Sequence, residues 1–439
     1  MDRPETRYAE TPDGIYIAYQ TVGDGPIDIA WQFEWIGNVD TIWGYPGYAD
    51  WLRSLASFSR LILHDRRGMG ASSRNVDLPN LETRVADLRC VLDAVGSERA
   101  VLGGALEGGA PNVLFAATSP ERVHSLFWWY PAPRTTVAPD YPFGASPELI
   151  ARGLQDVTDS WGTDSYLAVG LTVFAALEKE PVPWGWLTRQ TTTPDVAVQM
   201  ERIYDETDVR GAMPSIAAPV LLLARDRDRE ALTHLASLLP HPQVRLFPGE
   251  ASIKPSELPA ILDAIREFVG VEATPPELDT ILSTVLFTDV VGSTQKQAAM
   301  GDHRWKALIE QHHVIVREAL QRWRGVESST AGDGFYATFD GPARAIRCAI
   351  EIAHRVVDLG IEIRAGVHTG ECELMDGQIS GLTVSIGSRV AAKAGASQVL
   401  VSQTVKDLVA GSGLAFTEAG EHDLRGVPDR WRLYSVVPT

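Results

Sequence analysis

Two kinds of apolar stretch alternate along the first 269 residues. Ile27 to Trp31, Leu61 to His64, Ala100 to Gly104, Ser125 to Trp129, Val220 to Ala224 and Val244 to Phe247 are short runs separated by longer amphipathic stretches. Short runs rich in β-branched and aromatic residues predict strands, and stretches with a 3.6-residue apolar period predict helices. Their alternation predicts an α/β domain built on a parallel sheet with helices on both faces.

Beyond Gly270 the pattern changes. Glu272-Ala273-Thr274-Pro275-Pro276-Glu277 is polar and proline-containing, which predicts a semi-rigid joint. The expected organisation is a domain over 1–269, a linker over 270–280 and a second domain over 281–439. In the latter, Ser283 to Phe287 predicts a buried strand. Asp302 to Arg324 predicts a helix with Trp305, Leu308, Ile315, Val316, Ala319 and Leu320 on one face, stopped by Gly325. His312 and His313 are adjacent on it and so point to different faces, which favours packed or solvated roles over metal binding. A hairpin over Glu327 to Phe339, a helix from Pro342 to Gly360, a strand over Ile361 to His368, a helix over Val384 to Ala394 and a strand over Val399 to Ser402 follow. This β-α-α-β-β-α-β order predicts an α+β domain with an antiparallel-centred sheet covered by helices.

Composition narrows the function classes. The chain has 439 residues, 45% of them hydrophobic and 22% charged, enough apolar material for a core in each of two domains. A formal charge of −18 without a basic run argues against a nucleic-acid partner. Three cysteines, Cys90, Cys348 and Cys372, lie far apart and predict neither a disulfide framework nor a zinc site. The N-terminus lacks a basic-then-apolar leader, and no run approaches a membrane span. The expectation is a cytoplasmic protein with no membrane span.

Two carboxylates stand where a carboxylate has little structural reason to be. Asp289 closes the apolar run Val285-Leu286-Phe287, where it must be paired or bound to a cation. Asp333 sits in Ala331-Gly332-Asp333-Gly334, at the tip of the hairpin, where Gly332 and Gly334 allow positive φ. Gly292-Ser293-Thr294 predicts a turn into a helix with Ser293 or Thr294 as N-cap, a seat for phosphate. Two carboxylates on adjacent strands predict a site for two Mg²⁺ or Mn²⁺ ions suited to attack at phosphorus.

Four segments in order, Phe287-Thr288-Asp289-Val290-Val291-Gly292-Ser293-Thr294, Ala331-Gly332-Asp333-Gly334-Phe335, Ile386-Gly387-Ser388-Arg389-Val390-Ala391 and Asp423-Leu424-Arg425-Gly426-Val427-Pro428, resemble the catalytic domain of class III nucleotidyl cyclases. The resemblance implies a ferredoxin-like βαββαβ core that converts ATP to 3′,5′-cyclic AMP and pyrophosphate. It implies metal binding by Asp289, Asp333 and the Val290 carbonyl, and phosphate or nucleotide contacts from Gly292, Ser293, Thr294 and Arg425. Arg389 would be the transition-state cation. The resemblance also implies a homodimer through this domain with composite sites. Where many members have a base-reading lysine, its carboxylate partner and a catalytic asparagine, this chain has Ser329, Gln378 and Ser385. Ser329 and Gln378 still offer hydrogen bonds to a purine, so ATP is expected with GTP as the alternative. Loss of the asparagine removes a contact worth about 2 to 3 kcal/mol, which predicts a slow enzyme. A nucleotide-binding sensor without catalysis is the competing reading.

In the first domain, Leu63-His64-Asp65-Arg66-Arg67-Gly68-Met69-Gly70-Ala71-Ser72 and Gly103-Gly104-Ala105-Leu106-Glu107-Gly108-Gly109 resemble segments of α/β-hydrolases. The resemblance implies a cap over about Pro131 to Met213. The nucleophile elbow of that family needs G-x-S-x-G, and here Leu106 takes the serine's place. Ser252 stands where the histidine is expected, so only an acid, Asp228, survives, and acyl transfer is not expected. Nine of the 12 tryptophans fall in this half, among them Trp31, Trp35, Trp43, Trp128, Trp129, Trp184 and Trp186. They predict core and cap packing, with a pocket for a small apolar ligand, and hence a regulatory domain, as the sharper alternative.

Overall fold

The computed structural model describes residues 3–33, 38–166, 183–249, 253–270, 280–375 and 378–437. The chain divides into two compact units, Met1–Glu277 and Leu278–Thr439. Most of the expected linker, residues 271–279, lies outside the described residues, as do Trp35 and Ser252.

The first unit is built on eight strands: β1 (Arg7–Glu10), β2 (Tyr16–Val22), β3 (Asp28–Gln32), β4 (Arg60–His64), β5 (Ala100–Ala105), β6 (Val123–Trp129), β7 (Val220–Arg225) and β8 (Pro242–Phe247). They form one sheet in the order β1-β2-β4-β3-β5-β6-β7-β8. From β3 to β8 every pairing is parallel, while β2 pairs antiparallel with both β1 and β4. The six predicted strands are all present. The β1–β2 hairpin at the sheet edge is the addition, and its sign in the sequence is the short apolar run Tyr16-Ile17-Ala18-Tyr19.

The core explains most of the tryptophans. Trp31, Trp51, Trp128 and Trp129 are fully buried, and Trp31 packs on Trp51 and Phe127 with ring centroids 5.6 and 5.9 Å apart. Between β6 and β7 the chain forms helices Pro147–Ser160, Trp184–Thr191 and Pro194–Glu206, the expected cap region. The first unit is thus the expected α/β domain, on a sheet that is parallel from β4 to β8.

The second unit contains β9 (Thr280–Val290), β10 (Val326–Ala331), β11 (Gly334–Phe339), β12 (Ile363–Met375), β13 (Gln378–Ser380), β14 (Val399–Ser402), β15 (Ala415–Asp423) and β16 (Arg430–Val437). The sheet runs β10-β11-β9-β12-β14-β16-β15, with β13 paired to β12. Among the described residues, only β12 with β14 is parallel. The central pair is β9 with β12, in register from Val290↔Ile363 to Thr280↔Glu373. Helices Asp302–Arg322 and Pro342–Arg355 bury Val316, Leu320, Ile346, Ala349 and Ile352 in one core with Val367 and Val401. Helix Leu382–Lys393 lies on β9 and β12.

Three local expectations are corrected. Helix Ser293–Met300 has Gly292 as its N-cap, with φ +68° and no side-chain cap, so neither Ser293 nor Thr294 caps it. Of the two glycines flanking Asp333, Gly332 alone has positive φ, at +63°, because Gly334 has already entered β11. Past helix Asp302–Arg322, Arg324 takes the left-handed conformation, and Gly325 is required instead by crowding: a Cβ there would lie 2.5 Å from the Phe339 ring.

Candidate active site

The site is assembled by the register of β11 on β9. Phe335↔Thr288 and Tyr336↔Phe287 are paired, which brings the Ala331–Gly334 turn to the end of β9 where Asp289 stands. Asp333 Oδ2 accepts a hydrogen bond from the Val290 backbone N–H at 3.2 Å. The two predicted carboxylates are thus brought together, one from a strand end and one from a turn.

On the other side of β9, Arg364 of β12 is directly opposite Asp289. Its Nη2 and Nε donate to Asp289 Oδ2 at 2.5 and 3.0 Å, with both side chains 38% exposed. Arg364 was not singled out in the sequence. A charged residue between Ile363 and Ala365 at a strand start is its only sign there, and pairing registers decide what it faces. Asp289 Oδ1 and Asp333 Oδ1 have no hydrogen-bond partner among the described residues. They are hard oxygen donors, Asp289 on the wall of a cavity and Asp333 in the turn whose Ala331 and Gly334 line it, which suits Mg²⁺ or Mn²⁺, ions that take one or two carboxylates and complete their shell with water and phosphate. No group of three or more His, Cys, Asp or Glu that could hold a metal occurs among the described residues.

The cavity, of about 290 Å³, is lined by Asp289, Ser329, Arg364, Ser388, Tyr336 and Phe287 among others. Phe287 and Tyr336 stack with centroids 4.7 Å apart and planes 5° from parallel, and the Tyr336 hydroxyl donates to the Ile379 carbonyl at 3.2 Å. Burial pushes the Tyr336 phenol up to about 12, so it stays a neutral donor. The opposite wall is helix Leu382–Lys393. A Cβ on Gly366 would lie 2.1 Å from Ala391 N and one on Gly387 2.5 Å from Val285 Cγ2, so two glycines permit this close approach.

Arg389 does not line the cavity. It is on the exposed face of that helix, one turn after the equally exposed Ser385, and its Nε donates to the Arg425 carbonyl at 3.2 Å. Arg425 therefore meets Arg389 through its main chain, while its side chain is exposed. Gln378 opens β13 opposite Met375, and its side chain lies outside the described residues.

In the first unit, Leu106 follows β5 at the elbow with φ +47°, and its carbonyl accepts from Trp128 Nε1 at 2.6 Å. The strained turn has been kept without the hydroxyl it would present. Glu107 beside it is buried and paired with Arg66 and Arg84, and these cations hold its carboxyl low against the opposing effect of burial. Asp228, the expected acid, follows β7 in a short turn.

Residues 277–437 match the family model of the adenylate and guanylate cyclase catalytic domain. The second unit is a class III nucleotidyl cyclase domain. An uncharacterized protein of Mycobacterium tuberculosis is 33% identical over 150 residues, covering 33% of this chain and 52% of its own length. A receptor-type adenylate cyclase of Trypanosoma brucei brucei, GRESAG 4.3, is 24% identical over 204 residues, 35% of this chain and 16% of that protein. The chain thus spans about half the length of the first of these and far less of the second. Among solved structures, the adenylyl cyclase CyaB from P. aeruginosa aligns with 37% of this chain and 97% of its own at 19% identity and TM-score 0.34. A bromoperoxidase from Bacillus anthracis aligns with 60% of this chain and 99% of its own at 16% identity and TM-score 0.46. Among the described residues no helix is long and apolar enough to cross a membrane.

Proposed function

We propose that the cyclase domain is an adenylate cyclase, converting ATP to 3′,5′-cyclic AMP and pyrophosphate in the cytoplasm as a homodimer, and that the hydrolase-like unit regulates it. What carries this reading is the meeting of Asp289, which lines the cavity with Arg364, and Asp333, which is tied to Val290 N–H in the turn whose Ala331 and Gly334 also line it. Asp289, Asp333 and the Val290 carbonyl would hold two divalent ions. Such ions, when bound, acidify the ribose 3′-hydroxyl and neutralise phosphate charge. Arg364 already has one edge on Asp289 and lines the cavity, where its remaining N–H groups would orient the triphosphate. The amides of Gly292, Ser293 and Thr294, at the start of a helix, suit the distal phosphates. Ser329 and Gln378 would hydrogen-bond the purine weakly.

Attack by the 3′-oxygen on the α-phosphorus makes the cyclic ester and breaks the bond to pyrophosphate. Charge developing there calls for a cationic fork. Arg389 does not reach the cavity of its own chain, so a second copy supplies it in this reading, with Ser385 beside it on the same exposed face and the Arg425 carbonyl orienting it. The hydrolase-like unit, lacking a hydroxyl at Leu106, performs no acyl transfer and serves as a sensor for a small apolar ligand.

The test is incubation of the purified full-length chain with Mn²⁺ and ATP or GTP, followed by chromatography. Cyclic AMP as the main product is expected. Tight nucleotide binding with no cyclic product would instead leave a nucleotide sensor.

A further inference from the structure

Helix Asp302–Arg322 carries two adjacent histidines with different fates. His312 is fully buried, with both ring nitrogens unpartnered, and burial holds it down to about 4, so it is neutral. His313 is partly exposed, and its Nε2 lies 2.9 Å from the Gly332 carbonyl. Phe335, the second residue of β11, is buried edge-on to both rings, at 5.7 and 5.0 Å. One helical turn further, Arg317 pairs with Glu327 of β10 at 2.8 and 3.0 Å, and Glu327 also accepts from Thr330 at 2.6 Å.

The helix therefore grips the β10–β11 hairpin at two places, its outer strand through Arg317 and its turn through His313. The second place bears on the site. Gly332 precedes Asp333, and its φ of +63° is a conformation that the chain adopts readily only at glycine. A turn held only by β-pairing at its base could tilt, and Asp333 would tilt with it. Two ties prevent this: Val290 N–H on the Asp333 carboxylate and His313 on the Gly332 carbonyl.

We infer that His313 is a positioning residue for Asp333, donating its Nε2–H to the Gly332 carbonyl so that the carboxylate is held ready for a divalent ion. This rests on the cyclase reading for its consequence but not for its geometry. A carbonyl only accepts, so the proton is on Nε2 whether the ring is neutral or charged, and no titration is involved. Partners of this kind, one step removed from a metal ligand, change metal affinity or activity by about 10- to 100-fold when removed.

The experiment compares the full-length chain with His313→Ala and His313→Gln, whose side-chain amide reaches as far as Nε2 and keeps an N–H donor. Hydrogen–deuterium exchange of the peptide spanning 326–339 is followed without metal, and Mn²⁺ binding is followed by the loss of the free-ion electron paramagnetic resonance signal. His313→Ala should exchange faster in this peptide and bind Mn²⁺ about 10-fold more weakly, while His313→Gln restores both. Cyclase turnover, where present, should fall with a raised Mn²⁺ requirement and little change in the KM for ATP. Unchanged exchange and Mn²⁺ binding in His313→Ala would overturn the inference. So would equal loss in both variants with an unchanged melting temperature, since the ring's packing on Phe335 and not its N–H would then hold the turn. A wild-type chain that makes no cyclic product defeats the functional reading alone, because exchange and Mn²⁺ binding are read without it.

Discussion

Single side chains carry the chemistry, and their substitution separates roles. Asp289→Asn and Asp333→Asn each remove one charge from a site proposed for two divalent ions. Either should lower cyclic-nucleotide formation by at least about 100-fold, with an unchanged circular dichroism spectrum. Wild-type turnover in either variant would remove the metal reading. With Ser329 and Gln378 in place of a charged pair, ATP should be preferred over GTP by well under about 10⁴-fold, the discrimination that fully buried complementary partners reach. Paired kcat/KM measurements decide this. Leu106→Ser supplies a hydroxyl in an elbow that already has φ +47°, yet it should give no burst of p-nitrophenol from p-nitrophenyl acetate, since neither Asp228 nor any histidine of the expected segment completes a triad. Glu327 shows how pH enters. Hydrogen bonding from Arg317 lowers its carboxyl from the usual 4.5 to about 2. A depressed folded-state value stabilises above the unfolded value and is lost as pH falls through the folded one. Because the pair is substantially exposed, the contribution is about 1 kcal/mol or less. Arg317→Met should cost that much at neutral pH in urea unfolding and progressively less as pH falls below 4.5 toward 2.

At the scale of elements, the site depends on how closely helix Leu382–Lys393 lies on the β9–β12 pair. Gly366 is in β12, a strand where glycine is otherwise unfavourable, and a Cβ there would overlap Ala391 N. Gly366→Ala must push the helix outward or bend the strand, and overpacking of this kind costs about 1 to 3 kcal/mol. The displaced helix would take Ser388 with it and open the cavity wall. A lower midpoint of urea unfolding with an unchanged m-value is expected, and an undiminished midpoint would show that the helix moves freely. The turn after β5 is held in a related way: the positive φ of Leu106 is supported by Trp128 Nε1 on its carbonyl and by the Arg66–Glu107–Arg84 cluster beside it.

For the whole molecule, the position of Arg389 matters most. It is on an exposed helix face, outside the cavity that holds Asp289, so in the proposed mechanism two chains must share each site. Asp289→Ala and Arg389→Ala chains should each be inactive alone. After exchange, half of the dimers are mixed, and each has one site lacking both groups and one lacking neither, so activity should return to about a quarter of wild type. Subunit exchange confirmed by an independent label, with no recovery, would mean that Arg389 is not catalytic or that the site lies within one chain.

The order and type of most elements were readable from apolar periodicity, since a strand or helix buries one face whatever its neighbours are. The six parallel strands of the first unit and the helices around His312, Ile346 and Arg389 all follow from it. Asp289 and Asp333 were readable for a different reason: a carboxylate at the end of a buried run, or between glycines in a turn, conflicts with local preference. Arg364, Tyr336 and His313 carried no such conflict, because an arginine on a strand, a tyrosine in a hairpin and a histidine on a helix are each ordinary in their local setting. Only the pairing of β12 and β11 with β9, and the packing of helix Asp302–Arg322 on the hairpin, put them at the site. The same holds for the edge hairpin β1–β2 and for Gly366, whose small size answers to a helix that follows it by some 16 residues in the chain and rests directly on it in space. Burial and charge conflict are properties of a residue and its neighbours in sequence. Register and close approach are settled between segments distant in sequence, and the tertiary structure decides them.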